Sequence, residues 1–208
     1  MCGIVGYVGP QQAEGVVVEG LRRLEYRGYD SAGVALAVDG RIAFEKRAGK
    51  IGNLDKALAD NPLPASTTGI GHTRWATHGA PNDRNAHPHL GQNGRVALVH
   101  NGIIENFASL SAELEAAGHD LRSDTDTEVA AHLVEAEVAG GANLTEAMQR
   151  VCSRLQGAFT LVAVDAEDPD RVVGARRNSP LVVGVGEGEN FLASDVAAFI
   201  EFTRDALE

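Results

Sequence analysis

The chain opens Met1-Cys2-Gly3-Ile4-Val5-Gly6, and the cysteine at its second position is the first residue suited to covalent chemistry. Cysteine is small enough for an aminopeptidase to remove Met1, which leaves Cys2 carrying both a thiol and a free α-amine. A free thiol titrates near ~8.5 and an α-amine near ~7.7–8.0, so nucleophile and base then sit on one residue close to neutral pH. An ordinary buried cysteine in an amino-terminal strand is the competing reading, and the rest of the chain has to decide between them. Four further polar islands stand out: Arg27-Gly28-Tyr29-Asp30-Ser31-Ala32-Gly33, Gly71-His72-Thr73-Arg74-Trp75-Ala76-Thr77-His78-Gly79, His100-Asn101-Gly102, and Ser123-Asp124-Thr125-Asp126-Thr127-Glu128.

Composition bounds what such chemistry could serve. At 208 residues with 44% hydrophobic content the chain suits one domain, or at most two small ones, with a real core. A formal net charge of −11 argues against nucleic acid and anionic membrane as partners, because both call for basic patches. No apolar stretch approaches a transmembrane length and the amino terminus lacks a signal-peptide pattern, so a reducing, cytoplasmic setting is expected. The only cysteines are Cys2 and Cys152, and Cys152 shares a helical face with Met148 and Leu155, which reads as core rather than a disulfide framework. No cofactor and no metal are expected. His87-Pro88-His89 has no third ligand at a suitable spacing, and Gly184, Gly186 and Gly188 do not form a phosphate loop.

The elements that must position these islands follow from periodicity and turn residues. A strand is expected over Gly3 to Val8, then a helix from the spacing of Ala13, Val16, Val17, Leu21 and Leu24. Val34 to Val38 and Arg41 to Glu45 flank Asp39-Gly40, the signature of a type I′ hairpin. A short helix around Leu54 to Leu58 and a strand over Thr68 to Trp75 precede a loop spanning 76–95. Val96 to His100 is an apolar strand running into Asn101-Gly102, a dipeptide that also suits a hairpin turn, although Ile103-Ile104 is too short for a return strand. Asn106 reads as an N-cap for a helix over Phe107, Leu110 and Leu114, and Thr125-x-x-Glu128 as a capping box for the next. Leu144, Met148, Val151 and Leu155 mark another helix. Strands are expected near Phe159–Val164, Arg171–Gly174, Leu181–Val185 and Asn190–Ala193, with a last helix from Asp195. Hairpin signals dominate and βαβ alternation is absent, so the fold class expected is α+β with antiparallel sheets and segregated helices. The stop at Glu208 is read as the cut end of a longer protein.

Taken together, the five islands resemble the class II glutamine amidotransferases. Leu24 to Gly33 with His72 to Gly79 is similar to the amino-terminal domain of glutamine–fructose-6-phosphate aminotransferases in particular. The resemblance spans essentially the whole chain. It implies a single glutaminase domain over residues 1–208 with the N-terminal-nucleophile fold, a four-layer αββα sandwich of two mainly antiparallel sheets. It also implies hydrolysis of L-glutamine, with ammonia passed to a sugar-phosphate isomerase domain of the full-length chain, expected to be a homo-oligomer. The same glutaminase serving another acceptor, such as phosphoribosyl pyrophosphate, and a non-catalytic glutamine-sensing module are the alternatives.

Attack of a Cys2 thiolate on a side-chain amide develops an oxyanion that needs two converging donors. Asn101 offers its side-chain NH2 and Gly102 a backbone N–H unobstructed by a Cβ. The amine and sulfur of one residue align poorly for direct proton transfer, so a bridging water is the expected relay. For free glutamine, Arg74 has the fork geometry for the α-carboxylate, with Thr77 and His78 as further donors, and Asp126 supplies charge for the α-ammonium. A helix-start carboxylate is the plainer reading of Asp126. By resemblance, Trp75 belongs to a lid over the site and Arg27 helps hold the cysteine end; a core tryptophan and a structural ion pair are their ordinary roles.

Overall fold

The computed structural model describes residues 2–76 and 79–208. The elements run β1 (Gly3–Val8), α1 (Ala13–Arg23), β2 (Ser31–Val38), β3 (Arg41–Ala48), α2 (Ile51–Asp60), β4 (Thr68–Arg74), β5 (His89–Leu90), β6 (Val96–Gly102) and α3 (Phe107–Ala116). They continue as α4 (Asp126–Ala139), α5 (Leu144–Arg154), β7 (Phe159–Asp165), β8 (Asp168–Arg177), β9 (Val182–Val185), β10 (Asn190–Ala193) and β11 (Ala206–Leu207). One sheet has the order β11-β9-β10-β1-β4-β2-β3 and the other β5-β6-β7-β8, with every pairing antiparallel.

Three apolar clusters make this a four-layer αββα sandwich. Val17 and Leu21 of α1 and Leu54 of α2 pack on Val5, Tyr7, Val34 and Leu36. Val129 and Leu133 of α4 and Met148 and Val151 of α5 pack on Val96, Leu98 and Leu161. Between the sheets lie Ile4, Ala35, Ile70, Ala97, Val99 and Val162. The period of two along each strand sorts these sets. Even-numbered positions of β1 and β4, and odd-numbered positions of β6, face the other sheet.

Several local expectations are met for the expected reason. Asp39 and Gly40 both have positive φ, 45° and 76°, as a type I′ turn demands. Asn101-Gly102 is not a hairpin turn, as the short stretch after it implied: Asn101 pairs with Thr160 and Gly102 with Phe159 inside the sheet. Others are corrected. The 76–95 loop contains β5, a pairing of two residues with β6 that no periodicity could reveal. Asn106 occupies the N-cap of α3 but spends its side chain elsewhere, donating to the Arg154 carbonyl and accepting from the Gln156 N–H. Only half of the Thr125 capping box forms, because Glu128 accepts from the Arg122 and Ser123 N–H groups instead. The last helix is a single 3-10 turn over Val196–Ala198, capped by Asp195. Consecutive Ala198 and Phe199 are both buried, Phe199 against Phe191, and the chain then returns to the sheet edge as β11.

Candidate active site

Strand parity carries the chemical residues to one place. Cys2 is in phase with Ile4, His72 and Arg74 with Ile70, and Asn101 with Val99, so all four point into the space between the sheets. There they border a cavity of about 320 Å³ lined also by Arg27, Trp75, Gly102 and Asp126. The structure thus gathers Cys2, Arg27, Arg74, Trp75, Asn101, Gly102 and Asp126 around one space; Thr77 and His78 lie outside the described residues.

The Cys2 sulfur lies 3.2 Å from the Trp75 nitrogen, whose N–H donates to it, and 3.5 Å from the Trp75 carbonyl. Burial pushes the Cys2 thiol above its ordinary value, while the Trp75 N–H and the Arg74 guanidinium pull it down. Asn101 Nδ2 donates to the Cys2 carbonyl at 2.9 Å, which joins the second sheet to the residue carrying the thiol. Gly102, at φ 125°, passes so close to β7 that a Cβ would meet the Ala158 carbonyl oxygen at 2.1 Å, so no other residue fits there without displacing the strand.

Around this pair the remaining side chains act as struts as well as lining. Arg27 Nη1 donates to Asp195 Oδ2 at 2.8 Å; the Ala197 N–H first, and Arg27 with it, hold the Asp195 carboxyl below its usual range. Asp195 follows Ser194, whose hydroxyl accepts the Ile4 N–H at 2.9 Å, so Arg27 braces the start of β1 from the neighbouring strand. Arg74 is buried and donates to the Gly79 carbonyl at 3.3 Å and the Ala80 carbonyl at 3.5 Å. Asp126, at the first turn of α4, accepts the Ile104 N–H at 2.8 Å through Oδ2, which ties the helix to the exit of β6. Trp75 is 46% exposed at the rim, edge-on to Tyr29 at 5.4 Å between ring centroids.

Sequence reasoning missed the layer beneath. His72 Nε2 stands 3.0 Å from both the His100 carbonyl and Asn101 Oδ1. His72 stacks on His87 at 4.2 Å between ring centroids, and His89 lies edge-on to His87 at 4.8 Å. Thr127 Oγ1 bridges His87 Nε2 at 2.8 Å and His100 Nδ1 at 3.0 Å, and Thr125 Oγ1 lies 3.0 Å from His89 Nε2. His87 and His89, the pair with a superficial metal-ligand look, therefore spend a ring nitrogen each on threonines of the α4 start. Among the described residues no group of three or more His, Cys, Asp or Glu is placed to hold a metal ion. Burial lowers His72 to about 3 and drives His87 and His89 well below the ordinary histidine value.

Two struts lie further out. Lys46 Nζ donates to the carbonyls of Arg84, Ala86 and Pro88, pinning the loop that carries these histidines, and burial lowers it to about 8. Asp30 receives the Ala76 N–H at 2.9 Å and gives its own N–H to the Arg74 carbonyl, fixing the backbone that presents Trp75 to the sulfur. Gly28 lets this backbone approach, since a Cβ there would lie 2.7 Å from the Arg74 carbonyl carbon. Parity relative to Ile70 was the one sequence signal that pointed His72 inward.

Residues 72–201 match the model of the glutamine amidotransferase domain, and the chain belongs to that family. Among relatives, the glutamine–fructose-6-phosphate aminotransferase (isomerizing) of Streptomyces coelicolor is 72% identical over 208 residues, taking in 100% of this chain and 34% of that protein. The enzyme of the same name from Corynebacterium diphtheriae is 61% identical over 217 residues, covering 100% of this chain and 35% of that protein. Among solved structures, glutamine phosphoribosylpyrophosphate amidotransferase from B. subtilis, complexed with ADP and GMP, superposes with a TM-score of 0.80 at 26% identity. That match covers 96% of this chain and 43% of the other. The chain thus spans about a third of the length of the curated relatives it matches. No helix among the described residues is long and apolar enough to cross a membrane.

Proposed function

We propose that this chain, as one glutaminase domain over residues 1–208, hydrolyses L-glutamine to glutamate and ammonia through a γ-glutamyl thioester on Cys2. The observation that carries the reading is the Asn101 amide bonded to the Cys2 carbonyl beside the sulfur, at the cavity between the sheets. The Cys2 thiol loses its proton through a water to the α-amine exposed by removal of Met1, and sulfur attacks the γ-amide carbon. The second N–H of Asn101 Nδ2 and the Gly102 N–H take the oxyanion. The nitrogen takes up the thiol's proton from the α-amine, the carbon–nitrogen bond breaks and ammonia leaves, and water then cleaves the thioester to glutamate, restoring the thiol. Arg74, with Thr77 and His78, takes the α-carboxylate; Asp126 takes the α-ammonium; Trp75 closes over the bound substrate. Arg27 keeps the start of β1 in place through Asp195.

In the full-length, homo-oligomeric and cytoplasmic protein, the ammonia passes to a sugar-phosphate isomerase domain that converts fructose 6-phosphate to glucosamine 6-phosphate. The identities of 72% and 61% to aminotransferases of that name support this acceptor over phosphoribosyl pyrophosphate, whose amidotransferase stands at 26%. The test is glutamate release by wild type, Cys2→Ala and Cys152→Ala. Cys2→Ala is expected to be inactive yet folded, and Cys152→Ala active, since Cys152 packs against the helical core. Turnover by Cys2→Ala overturns the mechanism; glutamine binding without turnover by wild type points to a sensing module.

A further inference from the structure

We propose that His72 is a positioning residue, whose Nε2–H fixes the orientation of the Asn101 amide so that Nδ2 faces the reacting carbonyl. The inference rests on the glutaminase reading above. An asparagine amide has two orientations related by a 180° flip, and only one presents a donor to an oxyanion. Two contacts choose between them here. The Cys2 carbonyl accepts from Nδ2 at 2.9 Å, and His72 Nε2 lies 3.0 Å from Oδ1. His72 Nε2 is also 3.0 Å from the His100 carbonyl, a pure acceptor, so the proton of this neutral imidazole resides on Nε2. One N–H therefore binds Asn101 at both its backbone neighbour and its side chain. A flipped amide would turn an NH2 toward the His72 N–H and an oxygen toward the Cys2 carbonyl, which is two repulsive contacts for two bonds.

The ring is itself held. His72 is fully enclosed, stacked on His87, and paired through its backbone with Ile4 on one side and Gly33 on the other. Its Nδ1 is buried with no hydrogen-bond partner among the described residues, so none of them draws the proton to that nitrogen. Held this way, the amide is in place before substrate arrives, which is what makes an oxyanion donor effective.

The test compares His72→Gln, His72→Asn and His72→Phe by steady-state glutamine hydrolysis, with melting temperatures. A glutamine side chain brings its amide nitrogen near the place of Nε2, an asparagine near that of Nδ1, and phenylalanine keeps the shape without a donor. His72→Asn and His72→Phe are expected to lower kcat by about tenfold to a hundredfold, below the full loss of an oxyanion donor, with KM changed by less than about threefold. His72→Gln is expected to recover most of kcat. Alkylation of Cys2 by iodoacetamide should keep its rate in all three, because the nucleophile is untouched. Equal losses in the Gln and Asn variants, or an undiminished kcat in His72→Phe, overturn the proposal. A second measurement needs no variant: nitrogen-15 NMR of the wild-type imidazole is expected to show Nε2 protonated and Nδ1 bare at neutral pH. A proton on Nδ1 overturns the assignment even if every variant fails to fold. Failure of wild type to release glutamate would instead defeat the glutaminase reading, while the tautomer would still report the His72–Asn101 bond.

Discussion

Lowering the pH from 7.5 to 5.0 should destabilise this domain through the histidines beneath its site. His72, His87 and His89 are all fully enclosed and neutral when folded, His72 at about 3 and the other two well below the ordinary value. Arg74, buried nearby, and the Lys46 ammonium push in the same direction as burial. The sign follows from proton counts. Between the unfolded value near ~6.5 and the folded value, the unfolded chain binds more protons, so stability falls as pH falls. At pH 5.0 His72, at about 3, favours the unfolded chain by about 2 kcal/mol relative to pH 7.5, from the logarithm of its proton saturation, and His87 and His89 act in the same direction. The loss from His72 alone is a sizeable part of the 5–15 kcal/mol typical of a whole domain, and the other two add to it. Carboxylates with lowered values, such as Asp195, act in a window below their ordinary 3.8 and stay out of this range. The assay is urea denaturation at several pH values from 7.5 to 5.0. The slope between pH 5 and 6 is expected to exceed one proton, about 1.4 kcal/mol per pH unit, with His87 and His89 adding to His72, and His89→Gln should reduce it. A slope below one proton would show that these imidazoles titrate when folded and refute the reasoning.

Asn101→Ala should lower kcat for glutamine by about 10²–10³ with a smaller effect on KM, measured by steady-state glutamate release; an unchanged kcat removes Asn101 from the oxyanion site. Arg74→Ala and Asp126→Asn should each raise KM strongly, the latter without loosening the loop, because asparagine can still accept the Ile104 N–H. Glutamine analogues lacking the α-amine should lose affinity for wild type and much less for Asp126→Asn; equal losses leave Asp126 a helix-start carboxylate. Glutaminase rate should rise in proportion to the fraction of chains beginning at Cys2, read by intact mass, since an acylated nitrogen is not basic. Full activity in a sample retaining Met1 would mean that another group is the base.

Much of this was legible in the amino-acid order because it is local. The hydrophobic alternation of β1, the Asp39-Gly40 turn and the helical stripes of α1 and α5 follow from periods of 2 and 3.6 residues that any stretch displays on its own. Cys2, Arg74, Asn101, Gly102 and Asp126 stood out by residue type and neighbourhood. Their meeting at one cavity had to come from pairing across 99 sequence positions, as in the Asn101–Cys2 bond, which no local pattern encodes. Asn101-Gly102 is an instance of this limit: the short Ile103-Ile104 stretch argued against a turn, but only the structure shows the dipeptide held inside β6 by β7. His72, His87 and His89 show it again. In sequence His72 reads as part of a strand and a polar island, and His87 and His89 as loop polarity or a weak metal motif; only packing between two sheets and the start of α4 made them a neutral, buried layer. Burial and hydrogen-bond partners set the charge state of an imidazole, and both are properties of the assembled fold rather than of the residue.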